Sequence, residues 1–264
     1  MLDLSNGGEI SDFIHPKFHC YSRCATVANA EVSSGIVGYQ QVALPASGEF
    51  ALLTPTFKDV GGAATIDLTE IQVVKPGEAS FTSKKKVAVQ KMDLTTGALT
   101  AVYQYTTAGN KWTSQTGDVV AGDVTFSAGE AMCVKNGDPA GAALAFQFSG
   151  AVELNPVSLN VAPNNYTLVG NFTPVAVDLM AIVPKGENGG DLGTSKKKIA
   201  VQKMDATTGA LGTVYQYTTA GNKWTSQSGD VVANEVVFAP GEAMCVKNGD
   251  TKTISLKFPS PIVE

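Results

Sequence analysis

Histidine is the commonest general base near neutral pH, and this chain has two, His15 and His19. Both lie beside Cys20, Cys24 and the lone arginine, Arg23, in a stretch with no regular period. No histidine follows residue 19, so the rest of the chain holds no Ser-His-Asp or Cys-His arrangement. Cys133 and Cys245 occupy equivalent places in two copies of GEAMCVKNGD, too far apart for any zinc-ligand spacing. Each is expected to be a small, buried, unpaired strand residue. Asp118 and Asp123 could in principle form a glycosidase carboxylate pair. They stand beside Gly117 and Gly122 in turn-like sequence, so solvated turn residues are expected. No loop has the calcium spacing D-x-[DN]-x-[DN]-G. Asn165-Tyr-Thr and Asn171-Phe-Thr fit the glycosylation acceptor pattern. No metal, no cofactor and no enzyme activity are expected.

Binding has a better candidate. Tyr103 and Tyr105 point to one face of a strand, and a turn near Gly109-Asn110 sends the chain back so that Trp112 falls opposite Tyr105. Tyr215, Tyr217 and Trp224 repeat the arrangement. Aromatic rings beside Asn, Gln and Asp suit a sugar, whose C–H faces pack on rings while its hydroxyls take polar partners. Rings that merely cover the core would use the same residues.

These recurrences belong to a long internal repeat. Thr82–Asp138 lies on Thr194–Asp250 with a shift of 112, no gap, and 47 of 57 positions identical. Upstream the echo is faint: IDLTEI at 66–71 faces VDLMAI at 177–182, and Phe50-Ala-Leu-Leu faces Tyr166-Thr-Leu-Val. Downstream, Leu144 and Phe146 face Leu256 and Phe258. The turns TTGAL, TTAGNKWTSQ and KNGD match while neighbouring strands differ, although loops ordinarily drift fastest. Two causes suggest themselves: recent sequence exchange between the halves, or a surface used twice.

The elements that carry these residues read as strands. GIVGYQQVAL, EFALLTPTF, KVAVQKMD, LTAVYQYTT and ALAFQFSG are rich in Val, Phe, Tyr and Thr and bounded by turn residues. The expected fold is all-β, as two tandem antiparallel sandwiches of jelly-roll type, residues 31–153 and 154–264. With 44% hydrophobic and 16% charged residues the chain is long enough for a proper core. It lacks the roughly 20-residue apolar run of a membrane helix. A net charge of −5 leaves no basic footprint for nucleic acid.

Residues 1–30 read as a signal-like or misassigned leader: Ala28 and Ala30 match a cleavage site before Glu31, without the apolar run that such a signal carries. Ser34-Gly-Ile-Val-Gly-Tyr after that site, with the closing PGEAMCVKN at 240–248, is similar to secreted, duplicated all-β surface proteins of bacteria. That resemblance implies export and a secreted or cell-surface location, and no functional residue. The expected function is a non-catalytic, self-assembling surface or filament subunit that pairs through terminal strands or sheet edges. The alternative is a tandem carbohydrate-binding protein, in which two weak sites gain avidity.

Overall fold

The computed structural model describes residues 37–57, 65–77, 84–106, 111–127, 129–138, 141, 143–152, 156–190, 192, 196–218, 222–232 and 236–259. Residues 1–36, with His15, His19, Cys20 and Cys24, lie outside them, as do residues 260–264.

The chain is all-β and antiparallel. The first copy runs β1 (Val37–Ala43), β2 (Phe50–Leu53), β3 (Thr65–Asp67), β4 (Gln72–Val74), β5 (Lys84–Met92), β6 (Leu99–Thr106), β7 (Lys111–Ser114), β8 (Thr125–Ser127), β9 (Met132–Asn136) and β10 (Ala145–Ala151). The second runs β11 (Val157–Val161), β12 (Tyr166–Gly170), β13 (Val177–Asp178), β14 (Val183–Gly186), β15 (Lys196–Met204), β16 (Leu211–Thr218), β17 (Lys223–Ser226), β18 (Val237–Phe238), β19 (Ala243–Asn248) and β20 (Ile254–Phe258).

Each copy sorts its strands in the same way. Five form the order β2-β9-β5-β6-β7, matched by β12-β19-β15-β16-β17. Three form β1-β10-β4, matched by β11-β20-β14, and β3-β8 and β13-β18 close the set. A 3-10 turn follows β3 and β13, capped by Asp67 on the Thr69 N–H and by Asp178 on the Met180 N–H. The faint echo at 66–71 and 177–182 is therefore one cap-and-turn used twice. No helix among the described residues is long and apolar enough to cross a membrane.

Two plain sandwiches are not the clear arrangement; the sheets stand as a four-bladed, propeller-like ring. The reason lies in the five-stranded sheets, which are apolar on both faces. In β9, Met132 and Val134 turn into the core of their own copy, and Cys133 turns the other way. In β2, Leu53 and Leu52 divide likewise. Three apolar clusters result, one inside each copy and a third shared by both. The third gathers Leu52, Met92, Ala131 and Cys133 with Leu168, Ala243 and Cys245.

Contacts across this third cluster are reciprocal. Tyr166 N–H donates to Leu94 O at 2.7 Å, and Phe50 N–H to Ala206 O at 2.7 Å. Thr54 N–H donates to Gly241 O, and Gly170 N–H to Gly129 O, each at 2.9 Å. Bridges Leu53↔Glu242 and Glu130↔Val169 complete the exchange. Each bond has its counterpart with the copies swapped, which is the signature of an internal two-fold, isologous contact.

Candidate functional site

The aromatic pairs form in the expected register: Tyr105↔Trp112 and Tyr217↔Trp224 are opposite residues of the β6–β7 and β16–β17 ladders. Their rings meet edge to face at 5.1 and 5.2 Å, the geometry that a ring quadrupole favours. Their place is the core. Trp112 is 1% exposed and Trp224 0%, and their indole N–H groups donate to Ile71 O and Ile182 O, both at 2.9 Å. Tyr105 and Tyr217 are buried beside them, and burial raises both phenols above the ordinary value. Tyr103 and Tyr215 are half-buried and pack against the same clusters. A sugar platform requires an open ring face, and the two indoles have none.

Asp118 and Asp123 are exposed, and Asp118 accepts from Thr116 Oγ1 at 2.6 Å within its own turn. Ser228 and Asp230 repeat that bond. Asn171 of the second glycosylation pattern is buried, its amide donating to Val175 O and Phe238 O. Among the described residues no group of three or more His, Cys, Asp or Glu is placed to hold a metal.

Cys133 and Cys245 are free and buried. Burial pushes the thiols up to about 11 and about 12, so both are protonated at neutral pH.

The repeated turns have structural roles that the sequence reading left out. Asp93 accepts from Thr95 N–H, Thr96 N–H and Thr96 Oγ1. The Thr96 bonds, backbone first, hold its carboxyl below the ordinary value, and Thr208 does the same for Asp205. These turns dock on the opposite copy through Leu94 O and Ala206 O. In KNGD, buried Asn136 donates to Pro45 O and accepts from Asp138 N–H. Buried Asn248 donates to Val161 O, Ala162 O and Lys252 O. The TTGAL and KNGD turns thus take part in packing between the copies and in buried polar anchoring.

What remains open is a strand edge. Leu44 N–H donates to Leu144 O at 2.9 Å, which sets the phase of the β1–β10 ladder. Antiparallel pairs alternate, so Gly38, Gln40 and Val42 bond to β10 while Tyr39, Gln41 and Ala43 turn their backbone groups outward. No strand among the described residues pairs with that side of β1. The edge carries no charge, no proline and no break in register over seven residues. Two other edges are shielded: β14 holds Pro184 and Lys185, and β7 starts with Lys111 and is overlaid by its own loop through Ser114 N–H to Asp118 O. The sequence offers either end, 31–44 or 254–264, as a strand-prone segment that could leave an open edge; the ladder phase identifies which groups of β1 are open.

No family model matches this chain, and no curated protein or solved structure matches it.

Proposed function

We propose that this protein is a non-catalytic structural subunit that acts outside the cell and associates with copies of itself through the open edge of β1. The observation that supports the reading is the edge: a seven-residue, uncharged, unbulged strand with outward backbone groups at Tyr39, Gln41 and Ala43. Natural sheets normally blunt such an edge with Lys, Pro or a bulge, because an incoming strand satisfies it. Tyr39 is 60% exposed and adds an apolar side chain beside the open groups. β11, the corresponding strand of the second copy, is also an uncharged sheet edge. β1 of one chain pairing with β11 of the next is a head-to-tail contact that does not close and so propagates as a fibre.

Sedimentation velocity over a wide concentration range tests this. The intact chain is expected to associate as concentration rises. Gln41→Pro removes an outward N–H and leaves the β1–β10 ladder bonds intact, so it should hold the chain monomeric with an unchanged melting temperature. An intact chain that stays monomeric at high concentration, or a Gln41→Pro chain that still associates, overturns the reading.

A further inference from the structure

The open groups of β11 follow from a proline two strands away. β20 lies between β11 and β14, and Leu256 stands opposite both Leu159 and Pro184. Proline has no N–H to give, so Pro184↔Leu256 is the non-hydrogen-bonded kind of antiparallel pair, and Leu256 directs its backbone groups to Leu159. Val157, Leu159 and Val161 therefore bond to β20, while Ser158 and Asn160 turn their backbone groups away from the sheet. No strand among the described residues pairs with that side of β11. The side chains of Ser158 and Asn160 are exposed, as are those of Tyr39, Gln41 and Ala43 on β1.

Two such edges join antiparallel when open groups meet open groups and the exposed faces fall on one side of the new sheet. Pairing Ser158 and Asn160 with open residues of β1 meets both conditions, and two registers do so in full. With Asn160 opposite Tyr39, Ala43 falls opposite Pro156, which has no N–H. With Asn160 opposite Gln41, Ser158 meets Ala43 and Ala162 meets Tyr39, so every open residue of β1 faces one that carries an N–H. On the other face this register sets Val42 against Leu159 and Leu44 against Val157, apolar against apolar.

We infer, resting on the reading of β1 as an association edge, that its partner is β11 of a second copy of this chain, antiparallel, with Gln41 opposite Asn160. The sheets β4-β10-β1 and β11-β20-β14 then run on as one across the junction. Full-length chains with Cys20→Ser and Cys24→Ser in every arm test it. Opposite Cα atoms of an antiparallel ladder stand about 4.5–5.5 Å apart, within disulfide reach. A Gln41→Cys chain mixed with an Asn160→Cys chain and oxidised with glutathione disulfide should therefore give a covalent dimer, and neither alone should give one. Tyr39→Cys mixed with Asn160→Cys should stay unlinked, since diagonal neighbours stand about 7–8 Å apart. Asn160→Pro removes an outward N–H and spares the bonds to β20, so it should abolish association at an unchanged melting temperature. Self-linking of Gln41→Cys, preferential linking through Tyr39→Cys, or association that survives Asn160→Pro overturns this pairing and leaves β1 as the edge. Should Asn160→Pro fail to fold, the cross-links decide alone. A parent chain that stays monomeric in sedimentation overturns the edge reading itself, and this pairing with it.

Discussion

The ring of Tyr166 in the second copy rests on Gly97 of the first, and Phe50 rests on Gly209 in the reciprocal contact. A Cβ at either glycine would come within 2.9 Å of a ring Cγ. Each ring has a lysine on it from its own sheet, Lys247 Nζ 5.1 Å above Tyr166 and Lys135 Nζ 4.8 Å above Phe50. Both turns therefore take part in the contact between copies.

Gly97→Ala and Gly209→Ala should therefore cost more than Gly117→Ala. All three glycines have positive φ, +73°, +71° and +96°, and an L side chain there costs roughly 1–2 kcal/mol. Gly117 has open space around it, so that cost stands alone. At Gly97 and Gly209 the ring must also move, adding about 1–3 kcal/mol. Urea denaturation of the three variants measures the difference, and equal losses would mean that the ring contact contributes nothing.

Trp224→Phe should leave Ile182 O without its donor, at a cost of about 1–3 kcal/mol, and Trp224→Ala should cost about 3–5 kcal/mol. Trp112 and Ile71 O should behave alike. Because both indoles are covered, tryptophan emission should not shift when oligosaccharides are added. A saturable shift would return the aromatic pairs to a binding role.

Asn248→Ala removes donors from Val161 O, Ala162 O and Lys252 O and an acceptor from Asp250 N–H. Several buried groups lose a partner at once, so a loss of roughly 2–4 kcal/mol is expected. Asn248→Asp should be worse, since a carboxylate would face three carbonyl oxygens. Thermal melts of the two variants give the order, and the reverse order would show that the amide donors are dispensable.

The two thiols predict alkaline instability. Their folded values, about 11 and about 12, lie above the ordinary thiol value. Between those limits the unfolded chain binds fewer protons than the folded one, so stability falls as pH rises. The contribution is complete below the unfolded thiol value and is lost as pH climbs through the folded values. Unfolding free energy measured from pH 8 to 11 should drop less steeply in Cys133→Ala/Cys245→Ala than in the parent. Native-state thiol labelling at neutral pH should be slow at both positions, and rapid labelling would show them exposed.

Strand-type composition and the alternation of apolar letters were enough to read an all-β chain and the Tyr105–Trp112 and Tyr217–Trp224 pairings, because each rests on residues close along the chain, and plain identity at a shift of 112 was enough to read the repeat register. The short strand β4 was not legible, since three residues carry no period. Nor did composition tell a ring that lines a core from a ring that meets solvent, because Trp112 uses the same letters for both and only its bond to Ile71 O, far away in sequence, decides.

What the sequence by itself determined was strand character, copy number and the positions of the turns, all of them local or register properties. Tertiary structure alone decided what the second apolar face of each five-stranded sheet is for. Leu52 and Cys133 alternate with Leu53 and Val134, and a strand buried on both faces looks the same whether its second neighbour is another sheet of its own copy or the other copy. The reciprocal docking of Tyr166 on Gly97 and Phe50 on Gly209 settles that neighbour, because it joins residues whose separation along the chain leaves no mark in any local pattern.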